Sequence, residues 1–381
     1  MKSRISSAGS GCLLALVVAG LLAAAPARAR KQQQRPLVQV ALLLDTSGSM
    51  QGLIDQAKTQ LWKVVNELLS ARRAGLKPRI QVALYEYGKD SLPAAEGYIR
   101  QIVGLTGDLD KVSEELFALR TNGGSEYCGQ VIQQAVKELA WSKSPRDLKV
   151  IFIAGNEPFT QGPVDFRQAV KQAVSHGIIV NTIHCGSEAD GISGKWKEGA
   201  LLADGAFMVI DQNRRVPQIV APQDKQIAEL NRQLNDTYIP IGAVGRKKRA
   251  RQMAVDSKAK MAAPAAAAER AVYKASGAYQ ADDWDLVEAE ASGRTSVDKL
   301  AEEQLPENMR KMSKAERKRY VEQQRKKRAE IQARIRKLAA ERKAYITKKQ
   351  RELAEKGPKT LDQAMIEAVR SQAQKKQFRF E

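Results

Sequence analysis

A chain of 381 residues carries 63 Lys and Arg against 43 Asp and Glu, for a formal net charge of +20. Its length exceeds the usual size of one domain, and 43% hydrophobic content suffices for a packed core although aromatic residues are scarce. Only two His are present, and no nucleophile–His–acid set can be traced through them, which argues against a hydrolase of the triad type.

The chain opens on a basic start, Lys2 and Arg4, followed by an apolar run from Leu13 to Ala25. That run has signal-peptide length and is short for a membrane span. Ala25-Pro26-Ala27 and Ala27-Arg28-Ala29 both fit a cleavage site, and Cys12 precedes the apolar run, where it is poorly placed for lipid attachment. Residues 1–29 are therefore expected to be a signal peptide, with mature protein periplasmic or secreted and beginning near Arg28 or Arg30.

From Leu37 onward apolar strands alternate with amphipathic helices. Val38 to Leu44 is nearly all apolar, as in a strand buried on both faces. Leu53, Ile54, Ala57, Leu61, Val64, Val65 and Leu68 keep helical spacing up to Ser70. Strands are predicted at 80–87 and 98–103, the two pairing as a hairpin that leaves one antiparallel edge. Helices at 108–119 and 127–139 follow, then strand 148–154, helix 164–175, strand 178–184, helix 196–203 and strand 206–210. This alternation implies a doubly wound, mainly parallel six-stranded α/β sheet with helices on both faces.

Beyond it the composition changes. Ile227, Leu230 and Leu234 support a further helix, and residues 242–281 lack a sustained period, so 223–304 is expected to be a helix and linker. Trp284, Leu286 and Val287 form a small apolar island expected to dock on the main domain. Residues 305–381 are predicted to be a basic, coiled-coil-like helical region. Ser313-Lys-Ala-Glu316 is a capping-box pattern. Ile331, Ile335, Leu338 and Tyr345 share a stripe that Arg328, Arg342 and Lys349 interrupt. Between Arg310 and Lys356, 19 basic residues face 6 acidic ones. That excess suggests either a solvated helix face or contact with an anionic envelope surface; with export expected, nucleic acid is not an expected partner.

The motif with the most chemistry is Asp45-Thr46-Ser47-Gly48-Ser49, directly after the first strand. In an open α/β sheet, ligands bind beyond the carboxyl ends of the strands, where strand order reverses. One carboxylate and two hydroxyls in a five-residue turn are hard oxygen donors suited to Mg²⁺, with Ca²⁺ or Mn²⁺ as alternatives. Asp and Ser are also good helix caps, and the same five residues read equally well as a capping turn.

With this motif and the order of elements after it, the stretch from Leu37 to about Asp211 resembles the von Willebrand factor A family, and residues 37–222 are read as such a domain. The resemblance implies a metal-ion-dependent adhesion site of the form Asp-x-Ser-x-Ser. It also implies a further hydroxyl ligand from a Gly-rich loop, which falls on Ser125 in Thr121-Asn-Gly-Gly-Ser-Glu126. The family's last ligand, an Asp closing the fourth strand, falls on Gly155, with Asn156 or Glu157 expected to compensate by holding a metal-bound water. On that reading, Gly155→Asp should tighten metal binding. Such domains act in adhesion and assembly when a protein partner's acidic side chain completes the metal shell, which implies a protein-binding or scaffold protein and not an enzyme. The alternatives are an envelope structural protein working through its basic helices and, less favoured, a metal-assisted hydrolase.

Cys128 and Cys185 both map to the ligand-facing end of the sheet, and an even count in an oxidising compartment favours a disulfide between them. Zinc held by the two Cys and His184 is disfavoured, because no compact ligand spacing exists. Glu86 and Glu157 also sit at strand ends, where an acid–base pair is conceivable, though such carboxylates are commonly just solvated or metal-linked.

Overall fold

The computed structural model describes residues 35–211, 219–352 and 361–380. The expected signal peptide and its cleavage site lie outside the described residues. In the first half, β1 (Leu37–Asp45) leads through a short 3-10 turn, Gly48–Met50, into α1 (Gln51–Ser70), the two-residue β2 (Ala71–Arg72) and β3 (Arg79–Tyr87). Then come β4 (Ile99–Thr106), α2 (Leu109–Ala118), α3 (Cys128–Glu138), β5 (Leu148–Gly155), α4 (Phe166–Ser175) and β6 (Ile179–Cys185). The helices α5 (Glu188–Ser193) and α6 (Trp196–Leu201) precede β7 (Phe207–Ile210).

Among the described residues, six strands form a mixed sheet in the order β4-β3-β1-β5-β6-β7. All neighbours run parallel except β3 and β4, so the single antiparallel edge expected from the sequence is present. The central strand alternates strictly. Val38, Val40, Leu42 and Leu44 enter the core under α1 and α2, while Ala41 and Leu43 enter the core under α3 and α4. A strand buried on both faces reads as a continuous apolar run, which is why β1 was plain in the sequence. The chain winds from β1 out to β3 and β4, then crosses back to β5 and out to β7. Strand order therefore reverses between β1 and β5.

The remaining elements are α7 (Asp224–Asn235), α8 (Gly242–Ala262), α9 (Pro264–Ala275), α10 (Leu286–Ala291), α11 (Glu307–Arg310), α12 (Lys314–Glu352), α13 (Leu361–Lys375) and β8 (Arg379–Phe380). Two sequence expectations change here. The stretch 242–281, read as linker, is largely two helices. Its core contacts are mostly small or polar, through Ala259, Ala266, Ala268, Ala271 and Ala275, with Arg270 and Lys274 fully buried among them and Val255 and Tyr273 as the larger apolar exceptions. A core of alanines and ion pairs leaves no apolar period for pattern reading to detect. Pro264 at the first turn of α9 separates the two helices, because proline is tolerated there and breaks a helix interior.

The C-terminal region is helical, as the sequence suggests, and it packs on the rest of the chain. Ser313 and Glu316 do form the capping box of α12: Glu316 N–H donates to Ser313 Oγ at 3.3 Å and Ser313 N–H to Glu316 Oε2 at 2.7 Å. Its Ile331 and Ile335 pack within the same chain, against Ile227, Leu230 and Leu234 of α7 and the alanines of α9. The apolar island does not reach the sheet core; it joins the helical cores instead, with Trp284 stacked on Tyr238 at 5.4 Å.

Arg328 and Arg342, which interrupt the α12 stripe on paper, are its buried anchors. Arg328 binds Asp285 at 2.6 Å, donates to Thr237 O at 2.6 Å and lies 4.1 Å from the Tyr238 ring centre. Arg342 binds Asp224 and Glu269, each at 2.5 Å. Finally, α13 returns to the sheet. Leu361, Met365, Ala368 and Val369 complete the core on the α1 face, and β8 pairs antiparallel with β2. The helices α7 to α12 thus lie in sequence between the last sheet strand and the last helix that covers the sheet.

Candidate metal centre

β1 carries Asp45 to the carboxyl edge of the sheet at the reversal of strand order, where a crevice opens between β1 and β5. Asp45 is fully buried. Its Oδ1 accepts the Ser47 backbone N–H at 2.7 Å, which fixes the turn, while Oδ2 has no hydrogen-bond partner. Ser47 Oγ lies 3.4 Å from Ser49 Oγ, and Ser49 Oγ donates to Asn156 Oδ1 at 3.4 Å. The turn is held from both sides. Thr46 N–H donates to Tyr87 O at 2.9 Å, and Asn122 N–H donates to Thr46 O at 3.0 Å. That second bond lays the Gly-rich loop of residues 121–126 against the Asp45 turn.

Four of the five candidate ligands therefore converge: Asp45, Ser47, Ser49 and Asn156. Ser125 is half-buried in the adjoining loop, and the carboxyl that this loop brings to Asp45 is that of Glu126. A Cβ on Gly88 would lie 2.8 Å from both Asp45 Oδ1 and Glu126 Cγ, so these groups flank the same small residue. Sequence reading placed Glu126 in the loop motif without giving it a role; its position next to Ser125 was the available signal.

The electrostatics of this cluster are unfavourable without a cation. Burial pushes the Asp45 carboxyl up to about 8, and Glu126 and Glu157 add to the rise, against the Ser47 N–H, which lowers it. Burial, then Glu157, pushes Glu126 up to about 7. A buried carboxylate oxygen without a partner costs free energy that a hydrogen bond or cation offsets. Among the described residues no three His, Cys, Asp or Glu side chains converge as a ligand set. The donors are mixed, carboxylate with hydroxyl and amide oxygen, and such hard oxygens fit Mg²⁺, Mn²⁺ or Ca²⁺.

Two expectations need correction, at Gly155 and at the cysteines. Gly155 leaves no room for an acid: a Cβ there would lie 2.6 Å from Tyr87 Oη and 3.0 Å from Asp45 Oδ2. Tyr87 Oη is itself tied down, donating to Ala154 O at 3.0 Å. Cys128 and Cys185 are free thiols, both buried. They enter different cores, Cys128 on the α3 side of the sheet and Cys185 on the α1 side, so the sheet separates them. Cys128 Sγ instead lies 3.8 Å from Tyr87 Oη as a hydrogen-bond donor, and burial pushes both thiols well up. Glu86 and Glu157 do not form an acid–base pair. Glu86 is fully buried and ion-paired with Arg100, while Glu157 sits beside Asn156 and Glu126. His184, expected near this end, is buried against Trp196 at 5.7 Å with both ring nitrogens unpartnered, and burial lowers its pKa.

An α/β sheet with an oxygen-lined site at its switch point defines a class of binding domain. Residues 39–192 match the von Willebrand factor type A domain family, and this part of the chain is a domain of that family. Solved structures also align with about half of the chain. BatB from Bacteroides thetaiotaomicron is 17% identical, with a TM-score of 0.35 over 46% of this chain and 90% of that one. The SpRpn10 VWA domain is 16% identical, with a TM-score of 0.35 over 49% and 100%. Proximal thread matrix protein 1 from the mussel byssus, with zinc in its MIDAS motif, is 12% identical with a TM-score of 0.36. That match spans 47% of this chain and 43% of the mussel protein, under half its length. A search of curated proteins finds no match in sequence.

Proposed function

We propose that this chain is an exported, metal-dependent protein-binding or scaffold protein, with a divalent cation, Mg²⁺ foremost, held by Asp45, Ser47, Ser49 and Asn156. The observation that carries this reading is the unpartnered, fully buried Oδ2 of Asp45 in a ring of oxygen donors at the sheet's switch point. A bound cation would neutralise the carboxylate and offer a charged contact at the face where a partner docks. The fold family supports the reading, since such domains commonly bind protein partners.

No catalysis is assigned. Glu86 is tied to Arg100 and His184 is enclosed by aromatic and glycine neighbours, so neither is free for proton transfer at the site. The alternative, an envelope protein acting through a basic tail, gives up only part of its free charge. Arg317, Lys318, Arg328 and Arg342 of α12 are paired with acids of other elements.

Calorimetric titration of the full chain with Mg²⁺, Mn²⁺ and Ca²⁺ tests the reading. Wild type should bind at least one of them and Asp45→Asn none, and capture of a given partner should be released by chelator from wild type only. Equal heats from both proteins would leave the capping-turn reading of residues 45–49. Export is tested by N-terminal sequencing of mature protein, expected to start near Arg28 or Arg30. The partner's contribution to the metal, an acidic side chain in the family's arrangement, is the part of the reading that Glu126 changes.

A further inference from the structure

The site is already crowded by an acid of its own chain. Asp45 Oδ1 is engaged by the Ser47 N–H, Oδ2 is buried without a partner, and Glu126 faces Asp45 across Gly88. Gly88 adopts φ +78°, a left-handed conformation that suits glycine, and any side chain there would push into the Asp45 carboxyl and the Glu126 Cγ. Glycine at this turn therefore permits the two acids to approach each other. The Ser47 side chain, one of the candidate donors, is near enough to Glu126 to favour its charged form. Glu126 is also held at its backbone, its N–H donating to Gln161 Oε1 at 3.0 Å, and the Gln161 amide reaches Glu157 Oε2 at 3.5 Å.

We infer that Glu126 is a metal ligand supplied by the chain itself, occupying the position that a partner's acidic side chain takes in the family's arrangement, and that the partner presents a basic or neutral surface. The inference rests on the metal-binding reading of Asp45 to Ser49. A divalent cation is neutralised by Asp45 and Glu126 together, leaving Glu157 and Asp90 as uncompensated acids near the rim. Lys89 and Arg100, on the adjoining turn and strand, share the single acid Glu86, so together they leave one positive charge against these two acids. With the cation bound, the face keeps a negative field that repels an incoming carboxylate and attracts lysine or arginine side chains. Glu126 also accounts for the absence of an acid at position 155: the second carboxylate reaches Asp45 from the Gly88 side, where there is room, and not from β5, where Tyr87 blocks it.

Mn²⁺ is the probe. Its binding to the full chain is measured by calorimetry, and its exchangeable water by proton relaxation enhancement. Glu126→Gln should weaken Mn²⁺ binding roughly tenfold or more, because metal affinity follows the count of charged ligands. Ser125→Ala should weaken it less. Added acetate should leave the relaxation enhancement of Mn²⁺-loaded wild type unchanged and lower that of Glu126→Gln, in which a ligand position has opened. A Lys-rich peptide should bind loaded wild type, and a Glu-rich peptide should not. Unchanged melting of Glu126→Gln in chelator checks the fold. If Glu126→Gln binds Mn²⁺ as tightly as wild type while Asp45→Asn does not, the inference fails and the metal reading stands. Acetate that lowers the wild-type signal likewise overturns it. Wild type that binds no Mn²⁺ overturns both.

Discussion

Asp45 and its turn were legible in the sequence because the chemistry is local: one carboxylate and two hydroxyls within five residues, after an unmistakable buried strand. Glu126 was not, because its role comes from an approach across Gly88 that joins two loops far apart in the chain. Gly155 shows the converse. Reading position against position, an acid there restores a ligand; in three dimensions the space belongs to Tyr87 Oη. Gly155→Asp is therefore expected to destabilise the protein, by about 1–3 kcal/mol, as overpacking of a close-packed interior does. Denaturant melts should show this, and Gly155→Asp combined with Tyr87→Phe should recover part of the loss. A Gly155→Asp protein as stable as wild type, with tighter metal binding, would show that Tyr87 moves aside freely.

Among the elements, those with a regular period were read correctly in kind, and the failures share a cause. α8 and α9 bury alanines and charges, and α12 buries two arginines. Hydrophobic periodicity cannot register an element whose inward face is polar, since the partners that satisfy it lie elsewhere in the chain. Arg328 is the sharpest case. Truncation to Ala leaves Asp285 buried without its cation, and removing one partner of a buried pair costs about 3–5 kcal/mol. Lys349→Ala, in an exposed pair on the same helix, should change stability by about 1 kcal/mol or less. Equal melting temperatures for the two variants would refute the anchoring role. A related expectation concerns acid. Burial alone would raise Asp256, but Lys274 and Arg270 hold its carboxyl well below the usual range. A depressed folded pKa stabilises above the unfolded value of about 4, and that stability is lost as pH falls through and below it. Far-ultraviolet circular dichroism should show helix loss in the acid range before Asp256→Asn shows any further change.

At the scale of the whole molecule, the sheet domain is not closed by the residues that resemble the family. α13 supplies Leu361, Met365 and Val369 to the core on the α1 face, and Asn181 on β6 donates to Gln372 on α13 at 3.2 Å. A fragment ending at residue 240 should therefore expose apolar surface, bind hydrophobic dye and aggregate, whereas the full chain should not. Each fully buried Leu, Met or Val side chain is worth about 1.5–3 kcal/mol, and several are lost together. A soluble, cooperatively melting fragment of residues 31–240 would contradict this organisation. The central claim, a cation at Asp45, is tested most directly by melting the full chain against pH with and without Mg²⁺. Burial raises the Asp45 carboxyl from 3.8 to about 8 in metal-free protein, so protonation favours the folded state. Its contribution is whole below about pH 4 and is lost as pH rises through about 8. In chelator, wild type should lose stability relative to Asp45→Asn across that window. Mg²⁺ at a hundred times its dissociation constant should restore about 2.7 kcal/mol to wild type and nothing to Asp45→Asn. Parallel curves for the two proteins, unmoved by any divalent cation, would contradict the account.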